Sequence, residues 1–151
     1  MSALDTLAFL VGSTTGPETR HPTPWTEGGA ATGHLDGAWE AGGLAIAQRY
    51  REVGPAGEPL FAGLFVLMVD RDEETVLMWG FDSAGFPPEP ARGGWVDGSL
   101  VLERTSPRGR SRATYTPLHG GGFTQLREFR ASADDGWSPV VEGRYLPGSV
   151  T

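Results

Sequence analysis

Residues 43–51 alternate apolar and polar side chains, in the order Gly43-Leu44-Ala45-Ile46-Ala47-Gln48-Arg49-Tyr50-Arg51. A similar stretch precedes them at Thr32-Gly33-His34-Leu35-Asp36-Gly37-Ala38-Trp39, and Glu40-Ala41-Gly42 joins the two. This alternation is typical of β-strands, and a short glycine-rich connection is typical of a hairpin. A turn at residues 41–43 puts Leu44, Ile46, Gln48 and Tyr50 on one face with Ala38, Asp36 and His34. That face is either a solvated outer surface or a cavity wall that orients a partly polar ligand.

About ten such stretches follow one another, and a Gly, Pro or Asp cluster ends each of them. They predict an all-β fold in which residues 1–151 form a single domain, a closed antiparallel barrel of about ten strands. The strongest hairpin signal is Asp97-Gly98, which separates Gly94-Trp95-Val96 from Leu100-Val101-Leu102-Glu103. Leu4, Leu7, Ala8 and Val11 recur at helical spacing, so we predict a short helix at residues 4–11 that closes one barrel end.

The hairpin formed by residues 60–69 and 75–81 is apolar on both faces. A loop of Asp70-Arg71-Asp72-Glu73-Glu74 pairs Phe65 with Trp79 and Leu67 with Leu77, and it puts Val66 opposite Met78 on the other side. One face fills the barrel. The other must be covered by the N-terminal helix or by a second subunit, because large exposed apolar patches are uncommon on monomers. We therefore predict a homodimer as one way to bury it.

Composition excludes several classes of function. The net charge is −7, from 19 acidic and 12 basic residues, which disfavours binding to nucleic acid. The chain has no cysteine, and every basic residue is arginine, so thiolate sites, Schiff-base lysines and P-loop lysines are absent. The N-terminus lacks the basic region of a signal peptide, and no apolar run reaches the ~18 residues of a membrane span. We expect a cytoplasmic protein that binds no membrane.

The motifs that suggest catalysis or metal binding are weak. His119-Gly120-Gly121-Gly122 is similar to the oxyanion loop of some esterases, but no Gly-x-Ser-x-Gly motif supplies a nucleophile, so a hairpin loop is the better interpretation. His21, His34 and His119 lack the spacing of metal ligands. We predict no metal site and no bound cofactor.

Two groups of residues are candidates for chemistry. His34, with Tyr50 and Asp36, is either an acid–base group or a surface histidine beside a tyrosine. Placing Phe129 opposite Val140 sets Arg127 opposite Glu142. Inside a barrel this pair could anchor a carboxylate or carbonyl of a ligand, whereas an exterior pair contributes only ~0–1 kcal/mol.

The predicted ligand site follows from these assignments. The side chains predicted to line the interior are Gln48, Tyr50, Trp79, Arg127 and Glu142, because each shares a strand face with large apolar residues and carries a group that needs a partner. His21 and Trp25 are predicted at the mouth, since His21-Pro22-Thr23-Pro24-Trp25 cannot join a central ladder. The N-terminal helix is predicted to be the lid beside them.

Several segments together resemble one family. They are Leu7-Ala8-Phe9-Leu10-Val11-Gly12, His21-Pro22-Thr23-Pro24-Trp25, Gly29-Ala30-Ala31-Thr32-Gly33, Asp82-Ser83-Ala84-Gly85, Ser111-Arg112-Ala113-Thr114-Tyr115, and Trp137-Ser138-Pro139 with Glu142-Gly143-Arg144-Tyr145. In this order they resemble the bacterial lipocalin-like proteins grouped as a domain-of-unknown-function family, whose architecture is similar to that of fatty-acid-binding proteins and nitrobindins. The resemblance implies a calycin-type barrel with an interior cavity. Such proteins tend to have a tryptophan after the Phe-Leu-Val-Gly segment, where this chain has Ser13-Thr14-Thr15.

Two classes of function remain open. The first is binding of a small, mostly apolar or amphipathic molecule inside the barrel. The second is a cyclase or isomerase acting on a biosynthetic intermediate in the same cavity, in which His34, Tyr50 or the Arg127–Glu142 pair moves a proton or polarises a carbonyl. Haem binding, as in nitrobindins, is a minor alternative because none of the histidines is placed convincingly as an iron ligand. Fold alone does not choose among these.

Overall fold

Ten antiparallel strands close into one barrel, which confirms the predicted fold class. The computed structural model describes residues 2–85 and 88–148. Each strand pairs with the next along the chain, and β1 pairs with β10, so the sheet has no free edge. The strands are β1 Gly12–Arg20, β2 Gly29–Glu40, β3 Ala45–Val53, β4 Pro59–Val69, β5 Val76–Asp82, β6 Ala91–Val96, β7 Ser99–Ser106, β8 Gly109–Pro117, β9 Phe123–Arg130 and β10 Ser138–Pro147.

A short N-terminal 3-10 helix, Asp5–Leu10, plugs one end of the barrel. Leu7 and Leu10 are buried in the core, and they lie three residues apart, which matches the period of a 3-10 helix. Phe9 contacts the rings of Trp95 and Phe123 edge-on. This confirms the helix predicted at residues 4–11. A second 3-10 turn, Ala41–Gly43, joins β2 to β3.

The helix lies at the end opposite the Pro22–Trp25 segment. Residue Gly37, near the end of β2, lies directly against the carbonyl of Leu10. The segment with Trp25 instead follows the end of β1 and precedes β2, at the other end of the barrel. The prediction that the helix is the lid beside Trp25 is therefore wrong. The helix closes one end of the barrel, and the mouth of the cavity lies at the opposite end.

The Asp97-Gly98 turn is as predicted. Val96 pairs with Ser99 directly across it. Asp97 has φ 49° and Gly98 has φ 83°, and two consecutive positive values are what a two-residue hairpin turn of type I′ requires. The two turn residues therefore determine the register of β6 and β7.

The β2–β3 register differs by one residue from the predicted one. The connection covers four residues, since Glu40 pairs with Ala45, and Tyr50 therefore lies opposite Leu35. His34 pairs with Arg51 on the outer face, where its Nδ1 lies 3.1 Å from the Thr15 hydroxyl. The predicted grouping of His34 with Tyr50 on one face is wrong, because an extra loop residue turned one strand over relative to the other.

The β4–β5 register differs in the same way. The loop spans residues 70–75, closed by a hydrogen bond from the Asp70 amide to the Thr75 carbonyl (2.8 Å). Phe65 consequently pairs with Gly80, and Trp79 pairs with Val66 on the outer face. The prediction that Trp79 lines the interior is wrong, because the predicted loop was one residue too short.

A bulge in β10 separates the predicted Arg127–Glu142 pair. The pairing shifts between Pro139 and Val141, so Arg127 lies opposite Val141 and Glu142 lies opposite Leu126. The Glu142 side chain is on the outer face and 53% exposed. The prediction that Glu142 faces inward beside Arg127 is therefore wrong.

The outer face of β4 and β5 carries the apolar side chains of Val66, Trp79 and Phe81, of which Phe81 is 47% exposed, whereas Leu77 on the same face is buried. The N-terminal helix packs against the interior core rather than this face, so it is not the cover that the sequence suggested. The homodimer stays a prediction. Within the described residues, no helix is long and apolar enough to cross a membrane.

Candidate functional site

The half of the barrel farther from the helix contains a cavity of about 400 Å³. Its volume lies within the range of ~300–1,000 Å³ usual for small-molecule pockets. The apolar side chains that line it include Trp25, Phe61, Phe65, Met78, Leu102 and Phe129. The interior nearer the helix is instead packed solid with buried residues, among them Ile46, Leu67, Leu100, Tyr115 and Phe123. The cavity therefore lies at the end of the barrel away from the helix.

Arg127 on β9 projects into this cavity and is held from three sides. Its guanidinium carbon lies 4.5 Å from the centroid of the Phe65 ring, a cation–π contact. The side-chain carbonyl of Gln125, in the amide orientation that satisfies both groups, accepts from Nε and from Nη2 (2.9 Å) of Arg127. The Arg127 guanidinium also lies near the Tyr115 hydroxyl, where its charge opposes the rise in the pKa of Tyr115 that burial causes, and that hydroxyl donates to the sulfur of Met78 at 3.5 Å. These contacts orient the guanidinium.

No carboxylate of the described residues forms a salt bridge with Arg127. The arginine–carboxylate salt bridges among the described residues are Arg20–Glu52, Arg92–Asp70 and Arg112–Glu128. Moving a cation out of water costs free energy unless an anion lies beside it. The groups that contact the Arg127 guanidinium are neutral. The arrangement is suited to receive an acidic group.

Beside the cavity lies a buried acidic cluster formed by Glu18, Glu52, Tyr50 and Tyr145. The Tyr50 hydroxyl lies 2.8 and 2.7 Å from the two carboxylate oxygens of Glu18 and 3.1 Å from Glu52 Oε2. The Tyr145 hydroxyl donates to Glu18 Oε2. Arg20 Nε lies 3.3 Å from Glu52. Because Tyr50 has one proton for three carboxylate oxygens, a proton on one of the carboxyls completes the network.

The pKa of Glu18 reflects this environment. Burial, and to a lesser extent the neighbouring Glu52 carboxyl, raise it to about 7, even though donation from Tyr145 and Tyr50 acts to lower it. Burial and the charge of Glu18 also raise the pKa of both tyrosines, so their hydroxyls stay protonated. The Glu18 carboxyl therefore keeps its proton up to about pH 7.

Glycines make room for the acidic cluster. A Cβ atom on Gly33 would collide with the side chains of Glu18 and Tyr145, and one on Gly143 would collide with the Tyr145 hydroxyl. The ring of Tyr50 contacts Phe61 and Phe65 edge-on, with centroids 5.7 and 6.4 Å apart. These two phenylalanines line the cavity. They therefore separate the acidic cluster from the space that a ligand would occupy.

The structure brings only part of the predicted site together. Gln48, Tyr50 and Arg127 face inward, and of these Arg127 lines the cavity. The Gln48 side chain is buried, and its Nε2 has no partner within the described residues. Trp79, Glu142 and His34 lie outside.

The two predicted mouth residues lie at the open end. Trp25 lines the cavity and contacts Phe129 edge-on, with ring centroids 5.2 Å apart. His21 follows β1, its amide bonded to the Val140 carbonyl (2.9 Å), and its Nε2 lies 3.6 Å from Glu142. His21 is therefore at the rim, directed toward the outer face.

Sequence reasoning missed several interior polar residues, among them Glu18, Glu52, Arg104, Tyr115, Gln125 and Tyr145. One signal was available, because Tyr50 and Glu52 are two residues apart on one strand and so share a face. Gln125 and Arg127 are related in the same way. Glu18 gave no such signal, since Gly16 and Arg20 on the same face of β1 do not distinguish interior from exterior.

Comparison with known proteins supports the fold. No protein-family model and no curated protein sequence matches the chain. Among solved structures, Rv2717c from M. tuberculosis is similar, with a TM-score of 0.76 and 17% identity over 97% of this chain and 98% of that one. The S-type phycobiliprotein lyase CPES from Guillardia theta has a TM-score of 0.72 and 12% identity, over 100% of this chain and 95% of that one. The fold is a lipocalin-like barrel. At these identities the likeness concerns the fold alone.

The interior of this lipocalin-like barrel does not fit a histidine-bound haem. Haem iron is commonly held by histidine. In the described part of the chain, none of His21, His34 and His119 lines the cavity. Tyr50 is bonded to Glu18, and the Met78 sulfur accepts from Tyr115. The donor set therefore offers no free axial ligand in place of histidine.

Proposed function

We propose that this lipocalin-like barrel binds an apolar molecule carrying a carboxylate, with the acid paired to Arg127 and the apolar part in the open half of the barrel. The observation that carries the proposal is an oriented cation without a carboxylate partner at the wall of an apolar cavity. The residues around Arg127 already satisfy some of its donors and leave its charge to be neutralised by a ligand.

The energetics favour a ligand of this class. Burial of apolar surface contributes about 25 cal/mol per Å², and the aromatic rings of Trp25, Phe61 and Phe129 supply such surface. A carboxylate leaving water is stabilised by charge-assisted hydrogen bonds to a guanidinium, which are stronger than neutral ones. One of the similar structures is named as a phycobiliprotein lyase, and a barrel of this topology is therefore compatible with handling an organic group.

The proposal is tested by isothermal titration calorimetry, which measures the affinity of the protein for dodecanoate. Arg127→Met should weaken binding by about tenfold to hundredfold, because it removes the charged guanidinium group while the methionine side chain still packs where the aliphatic part of the arginine did. The matched control is Arg49→Met, because Arg49 is exposed on the outer face of β3. We expect this control to bind as the wild type does. Failure of the wild-type protein to bind dodecanoate, or equal binding by Arg127→Met, would contradict the proposal.

No observation favours the cyclase or isomerase alternative. His34 lies on the outer face, and Arg127 and Glu142 are on opposite faces of the sheet. Tyr50 donates to Glu18 and is separated from the cavity by Phe61 and Phe65. The groups assigned to proton transfer therefore do not converge on one substrate position.

A further inference from the structure

Two more arginines line the cavity besides Arg127: Arg112, which pairs with Glu128, and Arg104, which lies closer to the open end. Arg104 on β7 pairs with Ser111, which pairs with Phe129, and this row faces the interior. The next row toward the helix is Leu102, Ala113 and Arg127. Arg104 and Arg127 both line the cavity. Since they lie two strands and one inward-facing row apart, their Cα atoms are separated by about 12 Å.

Arg104 also lacks a carboxylate partner within the described residues. Three acidic residues line the same cavity. Asp82 accepts from the Ala84 amide (2.9 Å), and Glu128 pairs with Arg112 (2.9 Å). Glu89 is exposed at the rim and forms no salt bridge with Arg104. Both Arg104 and Arg127 therefore face the cavity without a counter-ion among the described residues.

The distribution of charge along the chain agrees with this. The protein carries −7 overall, yet residues 104–130, which run from the end of β7 to the end of β9, contain six arginines and a single acid. These are Arg104, Arg108, Arg110, Arg112, Arg127 and Arg130, against Glu128. One sector of the barrel wall is thus cationic in an otherwise strongly acidic protein. Such a sector attracts anions to the mouth.

We propose that the ligand is a dianion with an apolar middle, whose inner acid pairs with Arg127 and whose outer acid pairs with Arg104. This rests on the proposed function, because it assumes that Arg127 holds an acid. The rings of Phe129 and Trp25 lie at the open end, where the apolar middle of such a molecule would pass. The protein should therefore prefer a diacid to a monoacid with the same apolar chain. A second carboxylate inside an apolar channel weakens binding if it is unpaired and strengthens binding if a guanidinium meets it.

The test compares dodecanedioate with dodecanoate by calorimetry at a pH where both are fully ionised. The wild-type protein should bind the diacid on the order of tenfold more tightly. Arg104→Met should abolish or reverse that preference, whereas Arg104→Lys should keep part of it, because the charge remains. Arg127→Met should weaken binding of both acids. Arg49→Met, on the outer face, is the control for a general loss of positive charge.

The outcomes separate the two proposals. If the wild-type protein binds dodecanoate as tightly as dodecanedioate, or if Arg104→Met weakens both acids by the same factor, the dianion inference is overturned and the monoacid site stands. If neither acid binds the wild-type protein, the proposed function fails and the inference fails with it. The comparison of the two acids on the wild-type protein needs no variant, so it decides the question even if Arg104→Met does not fold.

Discussion

Glu18 is the residue whose protonation most affects the folded state. Its pKa is raised to about 7 in the fold, mainly by burial, above the value near 4.3 of an unperturbed glutamate. The folded protein therefore binds more protons than the unfolded chain between these two pH values. Stability should fall as pH rises through this window, by roughly 3–4 kcal/mol, and level off above it.

Glu18→Gln tests this assignment. Gln resembles the protonated acid in shape, and it can accept from Tyr145 and donate to Glu52. We expect the variant to lose most of the decrease in unfolding free energy between pH 5 and pH 8, and to be the more stable protein at pH 8, as measured by urea denaturation across this range. A wild-type protein whose stability rises with pH in this window would contradict the raised pKa.

At the scale of the elements, the sequence predicts strands well and their register poorly. The Asp97-Gly98 hairpin was predicted correctly because its dipeptide permits two positive φ values and little else. The β2–β3 and β4–β5 loops contain one more residue than predicted, and β10 contains a bulge. Each shift turns one strand over relative to its neighbour. Trp79, His34 and Glu142 were misplaced for this reason, although their strands were correctly found.

The junction between the N-terminal 3-10 helix and β2 depends on Gly37. A Cβ atom there would collide with the Leu10 carbonyl, so we expect Gly37→Ala to displace the helix and lower the unfolding free energy by about 1–3 kcal/mol. Gly94→Ala is the matched control, since nothing lies within 4 Å of a Cβ at that position in β6. Urea denaturation of both variants measures the difference. Equal stability of the two variants would show that the helix does not rest on Gly37.

At the scale of the whole molecule, the apolar outer face of β4 and β5 predicts self-association. Two copies would bury the same patch on each other. We expect a dimer at micromolar concentration in sedimentation equilibrium. Val66→Glu, which places a charge opposite Trp79, should yield a monomer with an unchanged circular dichroism spectrum. Thr105→Glu, at an exposed position on β7, should leave the dimer intact. A monomeric wild-type protein would refute this prediction.

The whole barrel divides into a packed half and an open half. The helix and the core residues fill one end, and the cavity lined by Arg104 and Arg127 lies at the other. The sequence predicted the barrel, the helix and the inward direction of Arg127, because these depend on periodicity. It did not predict the neutral neighbours of Arg127. Tyr115 lies on the adjacent strand β8, whose register was unknown, whereas Gln125 lies two residues before Arg127 on β9 and shares its face.

The most direct test of the central claim is a crystal structure of the protein with dodecanoate. We expect one ligand in the open half of the barrel, with its carboxylate within hydrogen-bond distance of the Arg127 guanidinium and its alkyl chain against Phe65 and Phe129. A ligand bound only on the outer surface, or one whose carboxylate points to solvent while Arg127 stays without an anion, would contradict it.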